Sequence, residues 1–185
     1  MMRTSVFIAA SLDGYIARPD GANDWLMQAA TSGEDHGYDD FISTIDVMVL
    51  GRASFEKALT FDGWPYGALR VVVLSRTLSD ADIPEALRAK VSIHPGPVDA
   101  PFVQWLGESG ATHAYIDGGK VIQSFIRAGL LDDMIVTRIP VLLGSGLPLF
   151  GDVSPDVWWD HLSTRAFPSG LVQSEYRKRG NGANA

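Results

Sequence analysis

A chain of 185 residues, 46% hydrophobic and 20% charged, has the composition of one globular domain with a substantial core, and it is too short for two domains of ordinary size. Its formal charge of −7 argues against nucleic acid or an anionic membrane as partner, and with no cysteine there are no disulfides, thiolate metal sites or cysteine nucleophiles. No run reaches the length of a signal core or membrane span, and His36, His94, His113 and His161 include no i,i+4 pair, so the expectation is a cytoplasmic protein without a metal site.

In chain order, 5–10 reads as a buried strand stopped by the turn-formers Asp13-Gly14 and Asp20-Gly21. Ser32 and Asp35 have capping-box spacing ahead of a helix that places Tyr38, Phe41, Ile42 and Ile45 on one face. Strands are expected at 47–50, 71–74 and 91–93, with a short helix carrying Phe55, Ala58 and Leu59 after the first. Asp99 suits the cap of a helix presenting Phe102, Val103 and Leu106 and ending near Gly110. A strand at 114–116, the Gly118-Gly119 turn and a helix with Val121, Ile122, Phe125 and Ile126 inside follow, closed by Gly129. From Asp133 the chain reads as strands only, at 134–139, 141–143, 158–167 and 171–176. The expected architecture is a single α/β domain over 1–178, with a mixed sheet flanked by helices and an antiparallel C-terminal part; 179–185 reads as a frayed tail.

Four short motifs follow strands: Gly51-Arg52-Ala53-Ser54, Leu74-Ser75-Arg76, Asp117-Gly118-Gly119 and Leu143-Gly144-Ser145-Gly146. Glycines let a backbone approach a ligand, and free N–H groups at a helix start together with arginine forks suit phosphate. Arg52 and Arg76 on neighbouring strand ends would favour a phosphorylated dinucleotide over NADH. Each motif alone has a plainer reading: Ser54 as a helix cap, Arg52 as a surface charge, Ser75-Arg76 as a solvated loop, Gly118-Gly119 as a bare turn. No Gly-x-Gly-x-x-Gly is present, which disfavours an ordinary Rossmann domain.

Taken in order, these residues resemble the dihydrofolate-reductase-like superfamily, and more closely its branch containing the C-terminal reductase domain of bacterial riboflavin biosynthesis proteins. The resemblance runs from Ser11-Leu12-Asp13-Gly14-Tyr15-Ile16-Ala17 through Asp24-Trp25, Val49-Leu50-Gly51-Arg52, Val73-Leu74-Ser75-Arg76 and Ile116-Asp117-Gly118-Gly119 to Pro140–Phe150. It implies a sheet of about eight strands and NADPH as hydride donor. It would set Arg52, Ser75 and Arg76 around the adenosine 2′-phosphate, with Gly51 and Leu74 at the strand ends that carry them. Ser54, Gly118, Gly119, Lys120 and Val121 would lie near the pyrophosphate, and Ala9 and Ala10 beside the nicotinamide. Relatives in this branch commonly form homodimers through their C-terminal strands, and 143–150 is a second candidate contact.

The substrate side is less defined. Folate reductases carry an acid five residues after the first-loop tryptophan, where this chain has Ala30 after Trp25. Asp13 is the candidate proton donor, or else the cap of its Asp-Gly turn; Glu34, Asp35 and bound water are alternatives. Trp25, Trp64 and Gly144, with Phe61 and Tyr66, either wall a pocket for a flat ring or anchor loops. The Asp-Pro-x-Leu stretch of the riboflavin enzyme is replaced by Thr60-Phe61-Asp62-Gly63-Trp64-Pro65. The expected function is NADPH-dependent reduction of a small heterocyclic, imine or carbonyl substrate. Reduction of 5-amino-6-(5-phosphoribosylamino)uracil and a non-catalytic NADPH-binding dimeric module are the alternatives.

Overall fold

A computed structural model of the chain describes residues 2–29 and 33–180. Ten strands and five α-helices follow one another as β1 (Arg3–Ser11), β2 (Tyr15–Ala17), α1 (Asp24–Ala29), α2 (Tyr38–Ser43), β3 (Val47–Gly51), α3 (Arg52–Ala58), β4 (Arg70–Leu74), β5 (Val91–His94), α4 (Ala100–Glu108), β6 (His113–Ile116), α5 (Gly119–Arg127), β7 (Asp133–Ile139), β8 (Leu147–Pro148), β9 (Trp159–Ala166) and β10 (Val172–Lys178). Eight strands form one sheet in the order β5-β4-β3-β6-β1-β7-β10-β9, while β2 and β8 pair by themselves. From β5 to β7 every neighbour is parallel, and β10 then runs antiparallel to both β7 and β9.

The parallel strands have apolar residues on both faces because helices cover both. On one face Met48, Leu50, Val71, Val73 and Tyr115 pack with Phe55 of α3 and Phe41 of α2. On the other, Val47, Val49, Val72, Ala114 and Ile116 pack with Phe102 and Leu106 of α4 and with Val121, Ile122, Phe125 and Ile126 of α5. The i, i+1, i+4, i+5 spacing of those α5 residues aims all four at the sheet. Asp99 caps α4, accepting from the Phe102 N–H at 2.9 Å.

Several elements differ from the sequence expectation. β7 joins the sheet parallel to β1, delivered by α5 as a crossover, so antiparallel pairing starts only at β10. Residues 141–143 form no strand: the Val141 carbonyl accepts from Leu12 and the stretch leads out into a loop. α3 starts at Arg52 with Gly51 as its cap, so Ser54 lies inside the helix and is not a cap. Ser32 of the expected capping box lies outside the described residues, as does Ala30; α2 begins at Tyr38 after Gly37, whose N–H donates to Asp35. Of the expected tail, Arg179 donates its N–H to Trp158 and pairs with Asp160 at 2.7 Å, while 181–185 lie outside the described residues.

Candidate active site

Because β1, β3, β4, β6 and β7 are parallel, their carboxyl ends share one edge, where ligands of open α/β sheets bind. Gly51 ends β3 in register with Leu74 of β4, and the Asp117 N–H donates to Val49 of β3 at 2.9 Å. Three motifs far apart in sequence therefore meet here. The Arg52 guanidinium donates to the Thr77 hydroxyl at 3.1 Å, and Ser75 Oγ accepts from the Thr77 and Leu78 N–H groups at 3.2 and 3.0 Å. Gly118 caps α5 at φ 91°, where a side chain is strained, and a Cβ there would stand 3.0 Å from Ser54 Oγ. A Cβ on Gly51 would stand 3.3 Å from Val121. No side chain caps α5, so its first N–H groups face the edge unpartnered by side chains. Arg76 and Lys120 are exposed and their side chains donate to no other described residue; Arg52 also pairs with Glu56 at 3.5 Å.

Beside this basic rim lies Asp117, which the sequence reading quoted within a motif without giving it a role. β6 turns His113 and Tyr115 onto the α2–α3 face, and Asp117, one residue past its end, continues the alternation near Tyr115. Burial pushes the Asp117 carboxyl above the usual carboxylate range, against which only its neighbour Gly118's N–H acts to hold the charge. Burial raises the phenol of Tyr38, and that of Tyr66 to about 12, with the charge of Asp117 adding to both. Tyr38 stands edge-on to Phe7 at 5.5 Å and Trp64 edge-on to Tyr66 at 5.0 Å, and the Trp64 indole Nε1 is buried without a partner. A carboxyl inclined to keep its proton thus sits among aromatic rings next to a phosphate-suited edge. The signal that could have found it is an acid directly after an all-apolar strand, where burial is expected.

The other expected substrate-side residues divide into two groups. Trp25 is buried with Ile139, Phe167 and Leu171, with Ala9 and Leu143 against it and its own Nε1 unpartnered. Trp64 belongs to the separate cluster around Phe55 and Tyr66, so the two tryptophans flank the ends of β1 and β6 on the same face without sharing a cluster. Ala10 is buried on the opposite face. Asp13 is an exposed carboxylate held below its ordinary value first by the Ser11 hydroxyl and then by the Gly144 and Leu143 N–H groups. With Ser11 at 2.6 Å and Gly144 at 2.7 Å, it ties the end of β1 to the loop after β7. Gly144 thereby lies beside Asp13. Glu34 accepts from the Ser169 hydroxyl and N–H, an anchoring role that likewise favours its ionised form.

A half-open cavity of about 290 Å³ lies at the opposite, amino end of β1, β6 and β7. Its buried polar groups are satisfied: His113 bonds Ser5 and Thr44, and Asp133 holds Arg3 and Arg177. The strand-end edge is the better candidate site because it gathers the glycine-bearing strand ends, the uncapped start of α5 and the exposed Arg76 and Lys120 side chains.

Residues 4–173 match the model of the RibD C-terminal domain. The chain belongs to the RibD C-terminal domain family. The Bacillus subtilis protein YwjB, itself uncharacterised, is 34% identical over 177 residues, covering 94% of this chain and 97% of its own. A crystallised Shewanella sp. PV-4 protein assigned to riboflavin biosynthesis is 35% identical and superposes with a TM-score of 0.89 over 97% of this chain and 100% of its own. Enterococcus faecalis dihydrofolate reductase, solved with NADP(H), is 15% identical and shares the fold at a TM-score of 0.61, over 96% of this chain and 97% of its own. The RibD C-terminal domain assignment and the dihydrofolate-reductase-like fold thus agree with the resemblance carried by the motifs. No helix among the described residues is long and apolar enough to cross a membrane.

Proposed function

We propose that this chain is an NADPH-dependent reductase of a small heterocyclic, imine or carbonyl substrate, with Asp117 holding the proton that the reduced product takes up. The observation that carries this reading is the meeting of the Gly51-Arg52, Ser75-Arg76 and Gly118-Gly119 motifs at one strand-end edge, beside a buried carboxyl. The residues suit the dinucleotide, because side chains at Gly118 and Gly51 would fill the space between the α3 and α5 starts. Arg52, Ser75 and Arg76 would hold a 2′-phosphate, while Ser54, Lys120 and the first N–H groups of α5 would face the pyrophosphate. Ala9, on the Asp117 face of β1, would leave room for a flat ring. When bound, NADPH supplies a hydride equivalent.

The chain's own contribution to the chemistry is at Asp117. Hydride addition to a C=N or C=O bond leaves a basic nitrogen or oxygen, and an acid with a raised pKa is a better proton source near neutral pH than an ordinary carboxylate. Asp13, held ionised, suits loop positioning better than proton donation. The reading is tested by following NADPH oxidation with carbonyl, pterin and pyrimidine compounds. Turnover with at least one, lost in Asp117→Asn, is the expected result; tight NADPH binding with no turnover of any would favour the non-catalytic module.

The homodimer also belongs to this proposal. β9 is an edge strand exposed along 160–166, and Trp158 and Leu162 lie open to solvent with unpaired strand backbone beside them. Sedimentation at twice the monomer mass supports pairing, and a monomer at micromolar concentration removes it.

A further inference from the structure

The cavity at the amino end of β1, β6 and β7 is not used by the proposed reduction, and its volume of about 290 Å³ is close to the low end of the range of about 300–1,000 Å³ for small-molecule clefts. Val6, Phe41 and Ile135 give it an apolar wall, while Asp40 of α2, Asp133 of β7 and Glu175 of β10 bring three carboxylates to it. Among the lining residues Arg3 is the one guanidinium, and Asp133 accepts from its Nε at 2.6 Å. Arg177 donates to the other oxygen of Asp133 at 2.9 Å, with Glu175 adding to the field that favours its charge. Burial, and then the charge of Arg3, holds His113 below the ordinary histidine range, so this imidazole adds no charge near neutral pH. Its ring is fixed by Ser5 at 2.8 Å and Thr44 at 3.0 Å; because the Thr44 hydroxyl donates to the Phe41 carbonyl, His113 Nδ1 is the donor to Thr44. Three carboxylates thus face two guanidiniums, one positive charge short of balance. The two acids without an ion pair among the described residues are Asp40, whose carboxylate accepts no hydrogen bond there, and Glu175, which takes the Ser163 hydroxyl at 3.5 Å.

We propose that this cavity is a second, non-catalytic binding site for a small organic monocation, an amine or amidine on an apolar body, its charge paired with Asp40 and Glu175 and its body against Val6, Phe41 and Ile135. An inorganic cation would leave the apolar wall unused, and an anion would meet three carboxylates with Arg3 already paired. The site stands at the other end of the strands from the dinucleotide edge: the rise along β1 from Ser5, in the cavity, to Ala9 is about 13 Å. The monocation and NADPH therefore bind without competing.

The experiment is an NMR titration of the full-length protein with three probes of one shape, benzylamine, benzyl alcohol and benzoate, each up to about 10 mM. Benzylamine binds about tenfold or more tightly than the alcohol, and benzoate more weakly still. Equal binding of amine and alcohol, tighter binding of benzoate, or no binding of the amine overturns the proposal. The amide resonances of Thr44, Ile135 and Glu175 move with benzylamine while those of Gly118 and Gly119 stay in place; the reverse pattern puts the amine at the strand-end edge and overturns it. In the Asp40→Asn, Glu175→Gln double variant, benzylamine affinity falls about tenfold or more while NADPH affinity stays within about twofold, and an unchanged amine affinity counts against the site. NADPH titration of the wild-type protein reports on the reductase reading separately, so either can fail while the other stands.

Discussion

The two halves of the strand-end edge are built by different means. The β3–β4 half and the α5 start are shaped by backbone, with glycines at Gly51 and Gly118, free N–H groups, and Arg52, Arg76 and Lys120 on the rim. The half around the β1 and β6 ends is shaped by side chains from distant segments, with Tyr38 and Tyr66 near enough to feel the charge of Asp117 and Trp64 packed edge-on to Tyr66. Backbone geometry suits a ligand part that never varies, and side chains suit a part that differs between relatives. The first half carries exposed basic side chains; the second carries aromatic rings beside a single acid.

The largest expected effect belongs to the side-chain half. Asp117→Asn should lower kcat by about 10²–10⁴-fold while leaving NADPH affinity within about twofold. The same variant should be more stable than wild type at neutral pH. A carboxyl whose folded pKa is raised keeps its proton in the folded chain after the unfolded chain has lost it, so stability falls as pH rises from the ordinary carboxylate range through the folded value. Thermal melting against pH checks this: the variant's advantage should grow across that window and be absent below it. If the variant is no more stable above the window, Asp117 is not a buried charge. The rate should likewise decline as pH rises through the folded value.

Next comes the backbone half. Arg52→Ala and Arg76→Ala should each weaken NADPH by about 1.5–3 kcal/mol, the worth of a charge-assisted hydrogen bond, and leave NADH nearly untouched. Equal losses for both dinucleotides would mean the arginines do not read the 2′-phosphate. Gly118→Ala forces a side chain to φ 91° against Ser54, and should cost about 1–3 kcal/mol in denaturant unfolding as well as cofactor affinity. Asp13→Asn should have the smallest effect on turnover, within about threefold, because it loosens the tie to Leu143 and Gly144 without touching the proton. A loss as large as that of Asp117→Asn would return the proton to Asp13.

The same contrast explains what could be read from the sequence. Apolar runs such as 47–50 and 71–74 announce doubly covered strands, and Gly51, Gly118 and the arginines mark strand ends, because these are local signals. α1, β2 and β8 escape the reading: they are short and depend on contacts with partners far along the chain, as when Tyr15 pairs with Pro148. The stretch 141–143 has strand-like residues but no neighbouring strand to pair with. Asp117 was visible as a letter, but its nearness to Tyr38, Tyr66 and Tyr115 exists only after α2, the 61–66 loop and β6 have been brought together.

A calorimetric titration of the wild-type protein with NADPH and with NADH tests the role of the strand-end arginines most directly. NADPH should bind about tenfold or more tightly, a preference lost in the Arg52→Ala, Arg76→Ala double variant. Equal affinity for the two dinucleotides in the wild-type protein would contradict it.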